Sequence, residues 1–128
     1  MREEAGDDQF THERLDVWQR SVDFATEIYR VTNTFPAEER FALTNQLRRA
    51  AVSVSSNIAE GNARMSSRDK MRFLEIAYGS LMEVVSQLEI AGRLGYVVPS
   101  SLHGPRGTAR AIARQLSALR QAIERRSQ

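Results

Sequence analysis

The chain has 128 residues, 41% of them hydrophobic, which is one domain's worth of sequence and enough for a core of moderate size. It has no cysteine, so disulfides and thiolate chemistry are excluded, and it has neither a secretory leader pattern nor an apolar run able to span a bilayer. The net charge of +2 is unevenly spread: residues 1–8 carry four acids against Arg2, residues 9–103 balance, and residues 104–128 carry six arginines against Glu124 alone.

Residues 1–10 are expected to form a flexible acidic tail, with too little apolar surface to order themselves, and residues 11–128 a single domain. The first predicted helix covers 11–33. Leu15, Trp18, Val22, Ala25 and Tyr29 form its apolar stripe, widened by Val17 and Ile28, and Asp16, Arg20, Asp23, Glu27 and Arg30 lie opposite. Phe35-Pro36 interrupts it. Pro36 followed by Ala37, Glu38 and Glu39 reads as the opening of a second helix over 36–60, since proline is tolerated at the first helical position and acids suit a helix N-terminus. Gly61 is placed for a left-handed C-terminal cap.

The second helix has two distinct faces. Leu47, Ala50, Ala51, Val54 and Ile58 form one, which reads as core; Arg49, Ser53, Ser56, Asn57 and Glu60 form the other. That second face mixes small side chains with hydrogen-bonding groups and suits close packing against another helix, including one from a second copy of the chain. Ser66 with Asp69 resembles a capping box and starts a third helix that runs to about Arg93. Its stripe is Leu74, Ala77, Tyr78, Leu81, Val84, Val85 and Leu88. Gly79, at a cost of about 1 kcal/mol relative to alanine, lies on a second stripe with Glu83, Ser86 and Ile90, beside Ile76. Two helices with more to bury than one core accepts imply self-association, and these ten residues are the expected interface. The competing role for Gly79 is relief of crowding inside one chain.

Gly95, Pro99, Gly104, Pro105 and Gly107 mark a connection or a broken helix start, and the fourth helix runs from near Pro105 to about Arg126. Ile112, Leu116, Leu119 and Ile123 are its buried stripe. Arg106, Arg110, Arg114 and Arg120 gather on nearly the opposite face, with Arg125 beside them. Such a strip can displace counterions from a nucleic-acid backbone, and arginine suits bidentate phosphate contact. A solvated helix face, with cations favoured near a helix C-terminus, would look the same in sequence. Arg48, Arg49, Arg64, Arg68 and Arg72 are further candidate contacts.

No catalytic constellation can be assembled. His12 and His103 have no metal-ligand spacing to an acid cluster, no Glu-x-x-His pair marks a di-iron bundle, and there is no phosphate loop or nucleophile elbow. Ser53, Ser55 and Ser56 have no base marked for them. A non-enzymatic protein without metal or cofactor is expected.

LDVWQRSVDFATEIYRVTNTFP, LTNQLRRAAVSVSSNIAEG and FLEIAYGSLMEVVSQLEIAGRLGYV together resemble the family of four-helix-bundle proteins encoded by intervening sequences in bacterial large-subunit ribosomal RNA genes. The resemblance covers roughly residues 13–98. It implies an all-α, up-and-down antiparallel bundle. Through similarity to the accessory protein of diversity-generating retroelements, which binds nucleic acid and a reverse transcriptase, it also implies a homopentameric ring. The expected protein is cytoplasmic and binds RNA or DNA through Arg106, Arg110, Arg114, Arg120 and Arg125, with a reverse transcriptase as a candidate partner and no membrane. A scaffold ring that docks a protein instead is the alternative.

Overall fold

Caps and backbone turns, more than proline, decide where the helices of this chain begin and end. The computed structural model describes residues 8–127. In order they form a 3-10 turn (Thr11–Arg14), α1 (Asp16–Thr32), a 3-10 turn (Ala37–Glu39), α2 (Leu43–Asn62), α3 (Ser67–Arg93), a 3-10 turn (Pro99–Leu102) and α4 (His103–Arg126), with no strand among the described residues. Each helix packs on its sequence neighbours and α4 closes back onto α1, giving a four-helix bundle around one core. The tail expected over residues 1–10 lies outside the described residues as far as position 7. Phe10 is held by Glu13, whose Oε1 accepts the Phe10 N–H at 2.9 Å.

Several expected boundaries are corrected. Residues 11–14 are a 3-10 turn and Leu15 is extended, so α1 starts at Asp16. The proline-and-acid run 36–39 opens only a short turn; Ala42 leaves helical geometry at φ −124°, ψ −106°, and α2 begins at Leu43, whose N–H is taken by Glu39 Oε1 at 3.1 Å. Gly61 is not a left-handed cap. It lies inside α2, buried, and Ala63 beyond it is right-handed. A Cβ at Gly61 would stand 2.9 Å from Phe73 Cβ and 3.4 Å from the Lys70 carbonyl oxygen, so glycine here lets α2 and α3 touch. The left-handed position is Gly95 (φ 79°). Tyr96 N–H reaches back to Ala91 O at 3.0 Å and Gly95 N–H to Gly92 O at 3.1 Å, a Schellman closure of α3. Ser66 does cap α3, its hydroxyl accepting Asp69 N–H at 3.1 Å.

The core takes Leu47, Ala50, Ala51, Val54 and Ile58 from α2 as expected, and Leu74, Ala77, Leu81, Val84 and Leu88 from α3. Tyr78 proves exposed and Val85 half-buried. From α4 it takes Ala109, Ile112, Leu116 and Ile123, with Leu119 at its edge. The α1 stripe is rotated from expectation: Val17 and Ile28, expected at its margin, are buried as expected, together with Ser21, Phe24 and Thr32, while Trp18, Val22 and Ala25 flank them and Tyr29 faces outward. Ser21 and Thr32 tolerate burial because their hydroxyls donate to the helix's own carbonyls, Trp18 O at 2.7 Å and Ile28 O at 2.8 Å.

At the end where α1 and α3 finish, Tyr96 ties three segments. Its ring packs on Phe35 with centroids 5.5 Å apart, its carbonyl accepts from Thr34, and its hydroxyl donates to Glu39 Oε2 at 2.7 Å. That hydrogen bond, helped by desolvation, holds the phenol's pKa above the ordinary tyrosine value.

Two glycines separate packing from propensity. Gly61→Ala is expected to destabilise by about 1–3 kcal/mol through overpacking against Phe73. Gly107→Ala, with no described residue within 4 Å of the added methyl, should gain about 0.4–1 kcal/mol. Urea unfolding of the two variants checks the opposite signs.

Candidate nucleic-acid interface

With Ile112, Leu116 and Ile123 fixed inward, the arginines of α4 divide into two groups instead of the single strip expected. Arg120 turns toward α3, where its guanidinium meets Glu75 Oε2 at 3.1 Å and Glu124 Oε2 at 4.0 Å. Arg106 is half-buried at the α3–α4 seam. There it lines a cavity of about 230 Å³ with Tyr78, Met82, Val85 and Arg110, and an adjoining one with Glu89, Ile90 and Arg93. Arg110, Arg114 and Arg125 stay exposed and have no carboxylate within ion-pair distance among the described residues. The outward basic set is therefore those three, spread from the first half of α4 to its C-terminus.

The further candidates have different fates. Arg48 is committed to structure: its Nε donates to Thr32 Oγ1 at 2.8 Å, its terminal nitrogen to Tyr29 O at 3.3 Å and Asn33 Oδ1 at 3.1 Å, and its guanidinium lies 4.5 Å from the Tyr29 ring centre. It satisfies the C-terminal groups of α1, a task that helix periodicity does not show. Arg64 and Arg72 both stack on Phe73, at 4.6 Å and 5.7 Å, and Arg64 also reaches Glu60 at 3.3 Å. Arg49 and Arg68 are exposed. Lys70 and Arg126, not singled out in the sequence, line a small apolar opening between the helix ends with Leu15, Asn62 and Ile123. Lys70 Nζ donates to Asn62 O at 3.0 Å.

The expected assembly face lies along the outer side of α2 and α3. Part of it is spent within the chain: Ser53 and Ser80 share a 2.9 Å hydrogen bond, and Asn57 Nδ2 donates to Ser53 O at 2.8 Å and to its hydroxyl at 2.9 Å. Gln87 Nε2 donates to Gln46 Oε1 at 3.1 Å and to Glu83 Oε2 at 3.3 Å, while Gln87 Oε1 is buried without a partner. Arg49, Ser56, Glu60, Ile76, Gly79, Glu83, Ser86 and Ile90 remain exposed. Among the described residues nothing lies within 4 Å of a Cβ placed on Gly79, so relief of crowding against them does not account for that glycine.

Among the described residues no group of three or more His, Asp or Glu side chains could hold a metal, and no helix is long and apolar enough to cross a membrane.

Residues 13–118 match the family model of the 23S rRNA-intervening sequence protein. No curated protein matches the chain. Among solved structures, a protein of unknown function from the S23 ribosomal protein family of Bacteroides thetaiotaomicron superposes with a TM-score of 0.73 at 23% identity, covering 81% of this chain and 97% of that one. At that identity the likeness concerns the fold.

Arg48→Ala is expected to cost about 1–2 kcal/mol by releasing the end of α1. Arg110→Ala and Arg114→Ala should stay within about 0.5 kcal/mol of the parent. Thermal melts of the three variants test that division between structural and solvent-facing arginines.

Proposed function

The chain belongs to the 23S rRNA-intervening sequence protein family, and we propose that it is a homo-oligomeric protein that binds RNA or DNA through the outward arginines of α4. The observation that carries this reading is that Arg110, Arg114 and Arg125 are exposed on one helix with no acidic partner among the described residues. Guanidinium groups left free in this way can exchange condensed counterions for phosphates, giving salt-dependent and largely sequence-independent binding. The family's name associates it with ribosomal RNA. A repeated copy of the chain would multiply three modest contacts into useful avidity.

Self-association is supported by the outer face of α3, where Ile76 and Ile90 flank Gly79 and the glycine leaves room for a neighbouring backbone. Ser86 and Ile90 of that face share a concavity with Arg106 at the α3–α4 seam, so assembly would border the arginines of α4. Gly79→Leu should lower the solution mass measured by light scattering while leaving the helical signal intact.

Fluorescence anisotropy of a single-stranded RNA and of a DNA duplex, titrated across a salt series, tests the binding. Wild type should lose affinity steeply with salt. The Arg110→Glu, Arg114→Glu double variant, at unchanged mass, should lose most of the binding and flatten the log-log slope by about 1.4–1.8, for two lost phosphate contacts. A second reading, a scaffold that docks a protein, is favoured by the open apolar seam of Tyr78, Met82 and Val85 between α3 and α4. Absence of binding to either probe near physiological salt would select it.

A further inference from the structure

The seam between α3 and α4 is not filled along its length. On α3, Tyr78, Met82 and Val85 repeat at helical spacing; on α4, Arg106, Ala109, Arg110 and Ala113 repeat at the same pitch, and together they line a cavity of about 230 Å³. Alanine at both apolar positions of α4 is too short to cover what α3 presents, so Tyr78 stays 41% exposed and Met82 38%. The opening continues in both directions. Tyr78 also lines a concavity with Leu74 and Leu116, and Val85 and Arg106 line another with Ser86 and Ile90.

The charge at the centre of this trough has one sign. Glu75 and Glu89 line its outer stretches, but Glu75 is held by Arg120 at 3.1 Å and Glu89 by Arg93 at 3.0 Å. No carboxylate lines the central cavity, and Arg106 and Arg110 there have none at ion-pair distance among the described residues. Arg106 is half-buried, so its guanidinium has given up hydration without gaining a counter-charge. An apolar floor alone would suit a protein partner; a floor edged by unpartnered guanidiniums suits an anion with an apolar face. Arg110 also belongs to the outward set with Arg114, about 6 Å further along α4, so the cavity is continuous with the surface read as phosphate-binding.

We propose that this cavity receives an unpaired base of a single-stranded nucleic acid, stacked on Tyr78 over Met82 and Val85, with Arg106 and Arg110 on the flanking phosphates. The proposal rests on the nucleic-acid reading and narrows it to single strands. In a duplex the faces of each base are covered by its neighbours, so a recessed ring can engage only a base that has left the stack. The size agrees: the cavity is smaller than the roughly 300–1,000 Å³ that encloses a drug-sized ligand, which suits one planar ring system. Every base has a face to stack, so the discrimination is between strand states and not between sequences.

Met82 reports on the site, since carbon-13 labelling of the methionine methyls gives only four signals. A short oligoadenylate should move the Met82 methyl signal upfield by the ring current of a stacked base, and a DNA duplex should not; Met65, 97% exposed, is the internal control. In fluorescence anisotropy, Tyr78→Ala should weaken oligoadenylate binding roughly tenfold and leave duplex binding, carried by the arginines, unchanged. Tyr78→Phe should keep the single-strand affinity, because stacking needs the ring and not the hydroxyl. Variants are compared at equal mass and melting temperature. Equal effects of Tyr78→Ala on both probes, or a bound oligoadenylate that leaves Met82 unmoved, overturn the stacking site and leave the arginine reading standing. Binding of neither probe sinks the arginine reading and this site with it, and a Met82 signal that then moves with an acidic amphipathic peptide assigns the trough to a protein partner.

Discussion

The close approach of α2 to α3 is the constraint on which the rest of the bundle depends. Small residues on α2 make it possible: Ala50 and Ala51 face the core, Ser53 meets Ser80 across the seam, and Gly61 presents only hydrogen where a Cβ would collide with Phe73. Because the two helices touch near their shared turn, residues 63–66 can reverse the chain in four positions, with Lys70 and the Ser66 cap satisfying backbone groups there. The seam is not wholly apolar. Gln87 lies buried with one unpaired oxygen, a desolvation cost of about 1–3 kcal/mol, so apolar packing on either side must carry the pairing.

From that seam follows the placement of the arginines. Fixing α3 against α2 sets which side of α3 is left for α4, and Leu74, Leu81 and Leu88 share one core with Ile112, Leu116 and Ile123. Glu75 lies on the flank of α3 facing α4, and it draws Arg120 out of the solvent-facing set. An exposed pair of this kind contributes at most about 1 kcal/mol. It leaves Arg120 partnered within the chain, unlike Arg110, Arg114 and Arg125 among the six arginines of α4.

The sequence's periodicity was most legible where side chains are small or aliphatic and the helix is uninterrupted. The apolar core positions of α2, Leu47, Ala50, Ala51, Val54 and Ile58, are all legible for that reason, while buried Thr44 and Gly61 are not. On α1 the apolar periodicity runs through Trp18, Val22 and Tyr29, yet the buried line includes Ser21, Phe24 and Thr32. Hydrophobicity alone does not reveal a hydroxyl that satisfies itself against its own helix. The 36–39 run carried every local sign of a helix start and was overruled by the Ala42 backbone, while Gly61 looked like a cap and serves as a contact. Arg48 could not have been sorted from its neighbours by composition, since its role depends on Tyr29, Thr32 and Asn33 arriving from another helix.

These placements give the molecule a division of labour that its net charge conceals. Cations that stabilise the fold are held by carbonyls, carboxylates or rings, as Arg48, Arg64 and Arg120 are. Others, Arg110, Arg114 and Arg125 on α4 among them, have no such partner among the described residues. A surface of this second kind gains nothing for folding and leaves the compact state slightly strained by self-repulsion. On the outer face of α3, Gly79 costs helix propensity, and no described residue lies within 4 Å of where its Cβ would stand. Such a local cost is tolerated within the total stability of the fold, and it is its coincidence with exposed Ile76 and Ile90 that makes the outer side of α3 a candidate interaction surface.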